Sequence, residues 1–68
     1  MISLIVNGKQ TALDGPVLLR QFLDIHGLSS RLVAVEHNGS IVPRELYGEV
    51  TLQDGDTLEI VHMMAGGR

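Results

Sequence analysis

Apolar and polar side chains alternate over the first six residues, and then the period changes. Ile2, Leu4 and Val6 share one side of an extended chain, with Ser3 and Ile5 on the other, which predicts a strand with one buried face. Asn7-Gly8 follows, and both residues tolerate positive φ, so residues 9–13 read as the returning strand of a hairpin. Beyond it the spacing lengthens. Leu18, Leu19, Phe22, Leu23 and Ile25 form one broad apolar face with Arg20, Gln21 and Asp24 opposite, predicting a helix over about 16–26. Pro16 suits its first turn, where an N–H would lack a partner, and Gly27 suits the left-handed residue after its end. His26, when protonated, complements the C-terminal dipole.

The second half returns to a period of two. Val33 and Val35 alternate with Ala34 and Glu36, Asn38-Gly39 turns the chain, and Ile41 and Val42 begin a return that Pro43 stops or pushes to an edge. "RELYGEV" has room for one helical turn. Asp54-Gly55-Asp56 is a turn, and residues 57–62 form a last strand in which Leu58 and Ile60 alternate with Glu59 and Val61. The order hairpin, helix, hairpin-like pair, turn, strand predicts an α+β fold. Its mixed sheet has four to five strands and one helix packed across it, with the first and last strands side by side in the middle. That is the β-grasp arrangement, here as a single domain over residues 1–68 with a flexible C-terminal tail from about 63 to 68.

Composition narrows what such a domain does. At 68 residues the chain is near the lower limit for folding alone, and without cysteine its stability must come from packing its 44% apolar content. The absence of cysteine fits a reducing compartment, and a side-chain thiol is excluded from any sulfur chemistry here. Net charge is −3 with both signs scattered, and Phe22 and Tyr47 are too few for a base-stacking platform, so nucleic acid is not an expected partner. No apolar run reaches the length of a membrane span, and the apolar start lacks the basic region of a signal peptide. A cytoplasmic protein with no membrane partner is expected.

Candidate chemistry is thin until the last residues. His26, His37 and His62 lack metal-motif spacing and read as a capping histidine and two surface strand histidines, so no metal is expected. Asp54-Gly55-Asp56 lacks the downstream ligands and bidentate glutamate of a calcium loop. Glu36, Arg44 and Glu45 lie nearest the apolar segments, but no nucleophile, base and orienting group assemble around them, so no enzyme activity is expected of this chain alone. Gly66-Gly67 is different because it follows directly from a central strand. Glycine lacks Cβ, so such a tip can thread a narrow channel in another protein, where its carbonyl can be activated.

Residues 33–67 carry "VEHN" followed by "IVPR", then "DGD", "EIVH" and the Gly-Gly pair, and with them the chain resembles the ThiS family of sulfur carrier proteins of thiamine biosynthesis. The N-terminal half matches in layout: strand, Asn-Gly, strand, Leu-rich helix. The resemblance implies a ubiquitin-like β-grasp fold and no bound cofactor. It implies a terminal glycine carboxylate adenylylated, at the expense of ATP, by a ThiF-type adenylyltransferase. A cysteine-desulfurase-derived sulfur donor then converts the acyl-adenylate to a thiocarboxylate, and the thiazole synthase ThiG takes that sulfur. On these residues the thiocarboxylate falls on Gly67, with Gly66, Ala65, Met64 and Met63 as the tail that enters the partner's channel. Met63 and Met64 either adapt to a partner surface or cover the edge of the core.

Arg68 departs from the family pattern, in which the chain ends at the second glycine. Held in a peptide bond, Gly67 has no carboxylate to adenylylate. Arg68 is then a residue removed by a peptidase, a remnant of expression, or the mark of a variant that no longer carries sulfur. Two other functions fit the same fold: a sulfur carrier for molybdopterin or cysteine assembly, and a β-grasp interaction module with an inert tail.

Overall fold

The computed structural model describes residues 1–63. In chain order the elements are β1 (Ile2–Val6), β2 (Lys9–Leu13), β3 (Val17–Leu18), α1 (Leu19–Ile25), β4 (Val33–His37), β5 (Ser40–Ile41), a 3-10 turn (Arg44–Leu46), β6 (Thr51–Leu52) and β7 (Thr57–His62). The main sheet has the order β2-β1-β7-β4-β5, with β1 and β7 parallel and the other pairs antiparallel. The first and last strands therefore lie together in the middle, as the order of elements predicts. Both Asn-Gly pairs form the tight turns that match strand twist, with φ of 51° and 84° at Asn7 and Gly8 and of 52° and 87° at Asn38 and Gly39.

One core sits between the sheet and the helix. Leu4, Val33, Val35 and Leu58 of the sheet cluster with Leu19, Phe22 and Leu23 of α1, and Val42, Tyr47 and Leu52 belong to the same cluster. Each fully buried leucine here contributes about 2 kcal/mol by removal from water. Tyr47 brings a hydroxyl into that core and donates it to the Val33 carbonyl at 3.1 Å, so its burial leaves no polar atom unpaired. In β7 Leu58 is buried and Ile60 half-buried while Glu59 and Val61 are exposed, as the alternation predicts.

The helix is shorter than its periodicity suggests. It begins at Leu19 instead of 16, because Val17 and Leu18 are extended and pair with Leu52 and Thr51 as a second, two-stranded sheet. A long-range pairing has overridden the local preference of Pro16 for a helical first turn. That pairing also supplies what a helix start lacks. The Leu19 N–H donates to the Val50 carbonyl at 2.8 Å and the Arg20 N–H to the Tyr47 carbonyl at 2.9 Å, satisfying two of the orphaned amides. Ile25, expected on the apolar face, is 70% exposed. It lies roughly 100° around the helix from the stripe of Leu19, Phe22 and Leu23, at the flank of the contact.

The backbone pairing of β1 with β7 covers only Ile5↔Thr57 and Val6↔Leu58. Asn7 carries it further with its side chain. Its Oδ1 accepts the Ile60 N–H at 2.7 Å and its Nδ2 donates to the Ile60 carbonyl at 3.1 Å, as a strand residue would. On the other flank Asn38 Oδ1 accepts the Thr57 N–H at 2.9 Å. Asn7→Gly keeps a residue that accepts positive φ and deletes only the side-chain bonds. It is expected to lower the unfolding free energy by about 2 kcal/mol, read from urea denaturation, since two hydrogen bonds are lost.

Candidate functional site

The tail root is built by β7 and the segments on its β4 side. His62 is in register with Val33, and the Met63 N–H donates to the Leu32 carbonyl at 2.8 Å, so the main chain is pinned through residue 63. The 3-10 turn after Pro43 brings Arg44 alongside. Its Nε donates to the Ser30 carbonyl at 3.0 Å, and its Nη2 lies 4.0 Å from Met63 Sδ. Met63 is exposed and rests against this guanidinium, outside the core. Of the residues expected to carry the chemistry, Met64, Ala65, Gly66 and Gly67 lie outside the described residues, as does Arg68.

On the helix side of β7 an open cleft of ≈ 370 Å³ runs between the first hairpin and the end of α1, with Lys9, Phe22, His26, Ile60 and His62 on its walls. His26 stacks obliquely on Phe22, with ring centroids 4.3 Å apart at 42°. Two of the three histidines thus line one cleft, and the third is elsewhere. Among the described residues no three histidine, aspartate or glutamate side chains converge as a metal site would require.

His37 is not the free surface histidine that its place near a strand end suggests. It is half-buried, and its Nε2 lies 2.7 Å from Asp56 Oδ2. Asp56 also accepts the Gln53 N–H at 2.9 Å and the Asn38 Nδ2 at 3.2 Å, while Asp54 Oδ1 accepts the Ser3 N–H at 2.8 Å. Both carboxylates of the Asp-Gly-Asp turn are occupied by protein donors, which fasten the turn to β1 and to the β4–β5 connection. Burial alone would push the Asp56 carboxyl up. The His37 ring, the Gln53 amide and the Asn38 side chain outweigh it together and hold the group below the usual aspartate value.

The polar residues nearest the apolar segments do not form a reaction centre. Glu36 stands opposite Glu59 in the β4–β7 register, Arg44 turns to Ser30 and Met63, and Glu45 is exposed. Among the described residues no polar or charged side chain apart from Tyr47 is buried. Sequence reasoning missed Arg44 as a neighbour of the tail and missed Asn7 and Asn38 as clamps on β7. The Asn-Gly pairs signalled turns, but Asn7 and Ile60 are 53 positions apart, and nothing local marks that contact.

The sequence model of the ThiS family matches residues 4–67. The chain is 41% identical over 49 residues to the sulfur carrier protein ThiS of Bacillus subtilis, covering 72% of this chain and 74% of that one. It is also 39% identical over 66 residues to a thiazole synthase of Paramagnetospirillum magneticum, covering 97% of this chain but 20% of that protein. The chain thus spans about one fifth of that relative's length. The crystal structure of the thiamine biosynthesis protein ThiS from Geobacter metallireducens superposes with a TM-score of 0.84 at 32% identity, over 93% of this chain and 96% of that one.

The Asp56 cluster predicts a pH dependence of stability. The folded carboxyl titrates below its ordinary value of 3.8, so its contribution is complete above that value and is lost as pH falls through the lower folded one. Asp56→Asn is expected to be less stable than the parent by about 1–2 kcal/mol at pH 7. In urea denaturation the gap should stay level down to the carboxylate range and close below it.

Proposed function

The chain belongs to the ThiS family, and from that premise we propose that it is the sulfur carrier for the thiazole ring of thiamine, with Gly67 as the residue that bears the sulfur. The observation that carries this reading is the family match running through Gly67, on a chain whose last strand is the pinned centre of the sheet. β7 delivers its C-terminal end from a fixed point, and beyond residue 63 the sequence Met-Ala-Gly-Gly is slender. A carboxylate at Gly67 requires cleavage of the Gly67–Arg68 peptide bond.

The chemistry then belongs to partners. A ThiF-type adenylyltransferase joins the Gly67 carboxylate to the α-phosphate of ATP, releasing pyrophosphate. The terminal sulfur of a cysteine-desulfurase-derived persulfide attacks the acyl carbon and expels AMP. Reductive cleavage of the resulting sulfur–sulfur bond, with a thiol as reductant, leaves the thiocarboxylate and releases the donor as a mixed disulfide. The carrier itself is not a catalyst, as befits a member of the ThiS family.

Thiazole synthase is the acceptor that the relatives favour. Two proteins of that name, from Paramagnetospirillum magneticum and Magnetococcus marinus, contain a region 39% and 36% identical to this chain within a polypeptide about five times longer. Joining carrier to acceptor raises their effective concentration, which favours repeated delivery from one to the other.

Two measurements test the reading. A chain ending at Gly67, incubated with the adenylyltransferase, ATP and the sulfur donor, is expected to gain the mass of sulfur replacing oxygen, whereas the chain ending at Arg68 stays unmodified. No change in the shortened chain favours an inert interaction module. Replacing Met63 and Met64 with serine is expected to weaken binding to the adenylyltransferase about tenfold, with little change in melting temperature. Equal binding by the double variant excludes a contact role for these thioethers.

A further inference from the structure

Helix α1 has only seven residues, about 10 Å of length, and past its C-terminal end its own side of the sheet lies open as the cleft of ≈ 370 Å³. Directly opposed residues of neighbouring strands share a face. Lys9 is in register with Val6, and His62 with the buried Val33, so both side chains stand on the helix side. His26 closes the cleft from the end of α1, its ring stacked on Phe22. Val6, Phe22 and Ile60 give an apolar floor. The charge of this cleft runs against that of the chain. Net charge is −3, yet the one lysine and two of the three histidines of the sequence line it, and no aspartate or glutamate does. Among the described residues the single ion pair is that of His37 with Asp56, so Lys9, His26 and His62 are in none. Asn7, also on the wall, has its side-chain amide committed to Ile60.

We infer that this cleft binds a small phosphate monoester whose single flat ring lies on the apolar floor. The Lys9 ammonium and one ring nitrogen each of His26 and His62 are donors from three elements around one space. They match the three terminal oxygens of a phosphate monoester, where a carboxylate offers two. The ring of the ligand meets the aromatic surface that Phe22 and His26 already share. The volume falls at the lower end of the roughly 300–1,000 Å³ of small-molecule sites, which suits one ring and not a dinucleotide. His62 ends β7 directly before Met63, so the occupant lies against the root of the tail. The site goes beyond the carrier reading, since nothing in it depends on Gly67.

Other occupants fit less well. A zinc or copper ion would find two imidazoles, but among the described residues no third histidine or carboxylate joins them, and the neighbouring ammonium repels a cation. A neutral apolar molecule would cover the floor but gain nothing from the charge of Lys9. A bare inorganic anion would use the cationic groups and leave the apolar floor in water.

The test is an amide-resolved NMR titration of the full chain with phenyl phosphate, and separately with inorganic phosphate, benzoate, benzyl alcohol and zinc. Phenyl phosphate is expected to move the amides of Lys9, His26 and His62 saturably, with Kd on the order of 1 mM for a ligand of about ten heavy atoms. Inorganic phosphate, benzoate and benzyl alcohol should each bind about tenfold more weakly. Lys9→Gln/His62→Gln should raise the Kd for phenyl phosphate about tenfold. These side chains are exposed, so the urea midpoint of the ligand-free variant should match the parent. Arg20→Gln/Arg31→Gln removes charge from exposed positions off the cleft and should leave Kd unaltered. An unchanged Kd in the first variant, or an equal loss in the arginine variant, overturns the site. Equal binding of inorganic phosphate or benzyl alcohol overturns the pairing of ring with anion, and equal binding of benzoate overturns the choice of phosphate. Saturable zinc binding at His26 and His62 without a response to phenyl phosphate makes the cleft a metal site and sinks the proposal.

Discussion

Strand β7 takes backbone hydrogen bonds from β1 on one side and β4 on the other, and two asparagine side chains extend that grip where the neighbouring strands stop. Among the described residues the last strand is therefore the central one of the five-stranded sheet. A terminal segment is ordinarily where a small domain frays. Here unpairing β7 would separate the first hairpin from β4 and expose Leu58 at the centre of the core. The residues that follow β7 thereby start from a fixed origin.

The two faces of the sheet divide the work. The side under α1 is packed with Leu, Val and Phe and supplies the stability of a domain that has no disulfide to assist it. The opposite side carries exposed Val61 and Ile41 beside opposed glutamates, an arrangement that does nothing for the isolated fold. The lower end is closed by the Asp-Gly-Asp turn, whose carboxylates collect amides from Ser3 and Gln53 and pair with His37.

Much of this was legible along the chain because it rests on local chemistry. Alternation at Ile2, Leu4 and Val6 and at Val33 and Val35 marked the buried faces, and Asn-Gly marked both hairpin turns. Residues 57–62 were marked as a strand, which is β7 as found. The helix start was not legible. Pro16 suits a first helical turn and Leu18 the helical stripe, and only Leu52 and Thr51, more than thirty positions away, draw Val17 and Leu18 into a sheet. Arg44 likewise looked like a generic polar residue, because its neighbours Ser30 and Met63 come from other parts of the chain.

By itself the sequence determined the order of the helix and the five strands of the main sheet, and the apolar faces of most of them, since each depends on side-chain period, backbone freedom or a short motif. The tertiary structure alone decided which groups meet at long range. It set Asn7 on Ile60, His37 on Asp56 and Glu36 against Glu59. Such contacts depend on strand register, and register is fixed by how the whole apolar face packs, which no local pattern encodes.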